Sequence, residues 1–154
     1  MWRARGGSCW AAVAETLVEL AREWLAFAEG DLAIAQAGAL ATAVPGWAVA
    51  LHCQQAVEKS AKGALVLQSI EPPFSHNLAL LAQLLASAGV TFPFAAVDLN
   101  RLSPFAINEK YPALRRRPIS QDEAQAFLPL AQAAIAWLAE QIAAAERRGE
   151  SAVD

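Results

Sequence analysis

Trp47-Ala48-Val49-Ala50-Leu51-His52-Cys53-Gln54-Gln55-Ala56-Val57-Glu58-Lys59-Ser60-Ala61-Lys62-Gly63-Ala64-Leu65 reads as one long helix with two unlike faces. Apolar or small side chains recur at Val49, Cys53, Ala56, Val57, Ser60, Ala64 and Leu67, the spacing of a buried helical stripe. His52, Gln55, Lys59 and Lys62 fall on the other side, within an arc of roughly 80° for an ordinary α-helix. One imidazole, one carboxamide and two ammonium groups on a single face make this strip the first candidate site.

The pattern extends in both directions. Upstream, Leu17, Leu20, Ala21, Trp24, Ala28, Leu32 and Ala35 keep helical spacing. They predict a first helix that starts between Ser8 and Thr16 and ends near Ala41. Gly30 lies inside it at a cost of about 1 kcal/mol against alanine, which predicts a tight helix contact there. Pro45-Gly46 turns the chain into the second helix, and Pro72-Pro73 forces that helix to stop near Ser69. Ser75 is the expected cap of a third helix from His76 to about Ala88. Its Leu78, Leu81, Leu84 and Leu85 face inward, and Gly89 follows its end. A short helix is expected over about Val97 to Ile107, interrupted near Pro104.

Ser120 and Glu123 have the spacing of a capping box and open the last helix. Its inward side carries Ala124, Phe127, Leu128, Ala131, Ile135, Leu138 and Ile142. Pro129 is expected to bend it and Gly149 to stop it. No stretch alternates as a strand does. The fold class is therefore all-α: an antiparallel up-and-down four-helix bundle with an additional short helix. Residues 1–15 are expected to be an N-terminal extension, 16–147 the helical domain and 148–154 a tail.

The 154 residues fit one domain, and 56% hydrophobic against 18% charged residues supply a real core. A net charge of −3 argues against general nucleic-acid binding. Two distant cysteines, Cys9 and Cys53, give no disulfide framework, and Cys53 beside the apolar stripe is expected to be a free buried thiol. Leu32 to Val57 lacks charge, but Gln36, Gln54, Gln55 and Pro45-Gly46 interrupt it, so no membrane span is expected. Cys9 to Ala14 is followed at once by Glu15 and Glu19, which does not suit a signal sequence. A cytoplasmic protein is the expectation. Two His and two Cys without ligand spacing give no metal site, and no Ser or Cys sits in a nucleophile context. Against this acidic background, Lys110, Tyr111, Arg115, Arg116 and Arg117 form a dense cationic loop with one aromatic ring.

Four motifs in order give the chain a family resemblance. They are Trp24-Leu25, Ala28, Asp31-Leu32 and Ala35 in the first helix; His52, Gln55, Glu58 and Lys59 in the second; Pro72-Pro73 leading into Ser75-His76-Asn77-Leu78; and Lys110-Tyr111-Pro112 before the last helix. From Trp24 to Ile142 the chain resembles the HEPN domain (higher eukaryote and prokaryote nucleotide-binding). Lys110 stands where the family carries Arg, which keeps the charge and loses the planar fork. Neither His52 nor His76 has an Arg at the upstream spacing used by the family's ribonucleases. The branch it resembles is paired with a separate minimal nucleotidyltransferase.

The resemblance implies a homodimer that binds ATP or another nucleotide, needs no other cofactor and serves as half of a toxin–antitoxin pair. Phosphate would go to Lys59, Lys62, Lys110 and the arginines Arg115, Arg116 and Arg117. His52, Gln55, His76 and Tyr111 would orient the rest. The structural alternative is that His52, Gln55 and His76 satisfy neighbouring groups while the lysines are solvated. Two other functions stay open: a metal-independent ribonuclease acting on RNA through His52 or His76, and an interaction module that takes no ligand.

Overall fold

The computed structural model describes residues 7–106 and 118–151, and every regular element among them is helical. α1 spans Gly7–Leu40, α2 Gly46–Leu67, α3 Leu78–Ser87 and α4 Ala96–Leu102, followed by a 3-10 turn at Ser103–Ala106. α5 is the short Gln121–Gln125 and α6 the long Leu128–Ser151. α1, α2 and α6 pack against one another, while α3, α5 and the 3-10 turn pack on α2. The expected helical bundle is thus observed, with α2 at its centre.

Small residues explain that central position. The Cβ of an alanine at Gly63 would lie 2.8 Å from Leu138 Cδ2 and 3.0 Å from Trp24 Cβ, so α1 and α6 close on α2 at this point. Gly38 plays the same part for α1: a Cβ there would meet the Val44 and Val49 side chains at 3.1 and 3.3 Å. The close contact expected at Gly30 is not there, because that residue faces open space on the outside of α1.

The predicted stripe of α2 is buried at Val49, Cys53, Ala56, Val57, Ser60 and Ala64. Burial extends further than one stripe, taking in Gln54, Glu58, Ala61, Lys62, Leu65 and Val66. A helix surrounded in this way has no open polar face over its second half. Burial also pushes the Cys53 thiol up to about 12, so this free cysteine stays neutral and unreactive near neutral pH.

Helix ends differ in instructive ways. α1 begins at Gly7 and continues through the stretch expected to be an extension. At its other end, Gln121 donates from Nε2 to the carbonyls of Ala41 (2.6 Å) and Val44 (2.7 Å), and Gln125 donates to Ala39 (3.1 Å). Gln125 thus satisfies a carbonyl in the last turn of α1, and Gln121 ties the α1–α2 turn to the start of α5. Asn77, not Ser75, caps α3: its side chain accepts from the Leu80 amide, and the helix starts at Leu78. The Ser120–Glu123 capping box is present in both directions. Pro129 does more than bend the last helix, since Ala126 and Phe127 form a turn that separates α5 from α6. Gly149 does not end α6, which reaches Ser151.

Ser120→Ala removes the oxygen that accepts from the Glu123 amide at 3.1 Å. The expected loss is about 1 kcal/mol of unfolding free energy, measured in urea. A loss indistinguishable from zero means that α5 is held by tertiary contacts alone.

By length and composition, Gln121–Ser151 is apolar enough to cross a membrane. In the bundle its Ala131, Ala134, Leu138 and Ile142 are committed to the core.

Candidate functional site

Two carboxylates organise the polar side chains of α2. The first is Asp31 of α1, itself buried. His52 Nδ1 meets Asp31 Oδ1 at 2.9 Å, and Lys59 pairs with Oδ2 of the same group. His52 and Lys59 remain about one-quarter exposed. The Lys59 ammonium also lies 5.6 Å from the centroid of Phe27, over the ring face, which suits a cation.

The second is Glu58 on α2. It accepts from Lys62 at 2.7 Å, from Gln54 Nε2 at 2.9 Å and from His76 Nδ1 at 3.0 Å. Burial works against the charged carboxyl. The bonds from Lys62, Gln54 and His76, with the Lys62 charge, outweigh it and hold the pKa below the ordinary 4.5. Gln54 also donates to the His76 carbonyl at 3.3 Å, tying α2 to the start of α3. Its own Oε1 is buried and has no partner among the described residues.

The strip read from the sequence therefore divides. His52, Gln55, Lys59 and Lys62 do share one side of α2, but Lys62 is buried against Glu58, not presented to solvent. Each carboxylate with its lysine is formally neutral. Neither ammonium is a free charge waiting for phosphate. Gln55 is half-buried beside His52 and Lys59. The cationic loop, with Lys110, Tyr111, Arg115, Arg116 and Arg117, lies outside the described residues.

His76 differs from the rest because its side chain is 53% exposed. With Nδ1 held by Glu58, the imidazole is oriented and its Nε2 is left for an outside partner. Such a pair can position an imidazole to accept or donate a proton. Asp31, Gln54 and Glu58 were not picked out as site residues by sequence reasoning. Asp31 and Glu58 nonetheless stood inside the four quoted motifs, and an acidic residue in a mostly apolar helix face was the signal available. Among the described residues, no three of His, Cys, Asp and Glu converge in a metal-holding group.

The family model of the HEPN domain matches residues 21–142. The crystal structure of TT1696 from Thermus thermophilus is similar to this chain, with 25% identity and a TM-score of 0.58. The likeness covers 79% of this chain and 97% of that one. No curated protein matches.

Proposed function

Because the chain belongs to the HEPN domain family, we propose that it is a nucleotide-binding helical module that works with a separate minimal nucleotidyltransferase, as one half of a toxin–antitoxin pair. The single observation behind this reading is the family match, which takes in both carboxylate-anchored histidine pairs in one run of chain. Catalysis by this chain alone is not required. Purification from the native host should bring down a nucleotidyltransferase and a bound nucleotide, both identified by mass spectrometry. Recovery of the pure chain with neither, together with no shift in melting temperature on adding ATP, leaves a module that takes no ligand.

The working form is a homodimer on this reading, and α1 supplies the surface. Val13, Leu20, Phe27 and Ile34 recur every seven residues on its outer face, all at least 41% exposed. A seven-residue apolar repeat is the seam that one helix offers another. Exposed Gly30 lies within it, where a second helix can approach closely. Phe27→Asp is expected to convert the dimer to a monomer in light scattering at micromolar concentration. An unchanged molar mass removes α1 from the interface.

One observation favours a second reading, a metal-independent ribonuclease: the oriented, half-exposed imidazole of His76. Cleavage of RNA in the presence of a chelator, lost in His76→Ala, would support it. Equal cleavage by the variant would exclude His76 as the acid–base group.

A further inference from the structure

An open cleft of about 450 Å³ lies between the α2–α3 connection and the corner where α4 meets the 3-10 turn. Residues 74–77 form one side, and Asn100, Ser103 and Pro104 form the other. This volume is within the ordinary range for small-molecule sites. Three features of its wall bear on what it could hold.

The first is Phe74. Its ring is as exposed as a free side chain, at 109% of the reference, whereas Phe92, Phe105 and Phe127 are buried. Leaving an aromatic ring wholly in water forfeits the burial that normally recommends it. The second is the set of polar atoms. Asn100 is exposed, and its carboxamide has no hydrogen bond among the described residues, which leaves both its acceptor and its donors available. His76 contributes Nε2, because Glu58 engages Nδ1. Ser103 Oγ accepts from the Leu78 amide at 3.1 Å and Ser75 Oγ from the Asn77 amide at 3.2 Å, so both hydroxyls keep a proton to donate. The third is charge. Among the described residues, no Lys, Arg, Asp or Glu lines the cleft.

A phosphate would find no lysine or arginine among the described residues of this wall. A neutral, flat heterocycle with donors and acceptors on its edge would find a ring to stack on and amide and imidazole groups to read it. We propose that this cleft is the subsite for the nucleobase, with Phe74 as the stacking platform and Asn100 and His76 Nε2 as edge contacts. This rests on the nucleotide-binding reading above and assigns it a place outside the lysine-bearing side of α2.

The test is calorimetric titration of the full chain with the four ribonucleoside triphosphates and with inorganic tripolyphosphate. Stacking on one aromatic ring is worth roughly 5- to 150-fold in affinity. Phe74→Ala should therefore weaken the best triphosphate by about tenfold or more, and Phe74→Trp should retain it. Asn100→Ala should narrow the preference among the four bases. Because Phe74 is fully exposed, its variants should keep the wild-type melting temperature, which separates lost binding from lost folding. If a triphosphate binds the wild type and Phe74→Ala equally, or tripolyphosphate binds as tightly as any triphosphate, the subsite is overturned while anion or nucleotide binding survives. If no triphosphate binds the wild type, the nucleotide reading falls, and the subsite falls with it.

Discussion

Glu58→Ala should lower the unfolding free energy by about 3–5 kcal/mol, the cost of breaking a buried ion pair from one side. The reason is what remains behind. Lys62 is 8% exposed and would keep its ammonium in the core with no counter-charge. Gln54 would lose the acceptor of its 2.9 Å bond, leaving a fully buried carboxamide further from satisfaction. His76 would lose the group that orients it. Replacing both charges with apolar side chains, Glu58→Leu with Lys62→Met, should recover most of the loss, since the pair's attraction is set against its desolvation. Urea unfolding at pH 7 measures both. A single-variant loss below about 1 kcal/mol would mean that water reaches the Lys62 ammonium.

The same carboxylate sets an acid sensitivity. Its folded pKa lies below the ordinary value of 4.5, so the unfolded chain takes up the proton first as pH falls. The stabilisation is complete above the unfolded pKa, declines below it, and is gone once pH has passed through the folded pKa. The Glu58→Leu, Lys62→Met double variant should lack this component of the pH profile. An identical profile for the two proteins would assign the acid sensitivity to other carboxylates.

The other large effect is expected at Gly46, the first residue of α2. A Cβ there would fall 2.4 Å from the Ser120 carbonyl oxygen and 2.6 Å from that of Ile119. Both atoms are backbone, so no side chain can rotate aside. The segment that carries the α5 cap would have to leave the start of α2, and with it the Gln121 and Gln125 bonds to the α1–α2 turn and the last turn of α1. Gly46→Ala is expected to cost at least about 3 kcal/mol, the upper end for overpacking a close contact. Gly30→Ala should be neutral or stabilising in the monomer, because nothing lies near its Cβ and alanine favours helix. Thermal unfolding of the two variants side by side is the check. Equal melting temperatures would show that residues 118–120 move away from α2 without penalty.

These two glycines mark the limit of reading along the chain. Periodicity located the helices, and Pro45-Gly46 and Pro72-Pro73 located their breaks, because helix spacing and proline chemistry act over a few residues. The capping box was legible for the same reason: Ser120 and Glu123 satisfy each other's backbone within one turn. The sequence pattern places the α3 cap at Ser75, two residues before the Asn77 that caps it. Both side chains can cap, and the hydrogen bond to Leu80 decides for Asn77.

The polar groups of α2 were legible as a list and as a face, since residues three and four apart must be neighbours. Their states were not. Asp31 comes from 21 residues upstream of His52, and His76 from 18 residues beyond Glu58. Packing of α1 and of the α3 entry onto α2 makes those pairs, and so turns the expected cationic strip into two neutral ones. Gly30 and Gly63 look alike in sequence, yet one faces solvent and the other is closed in by Trp24 and Leu138. The amino-acid order alone determined an all-helical chain, its breaks and its stock of polar groups. Only the tertiary structure decided which charges cancel, which glycine is indispensable and which imidazole opens on a cleft, because each depends on atoms that different helices bring across the core.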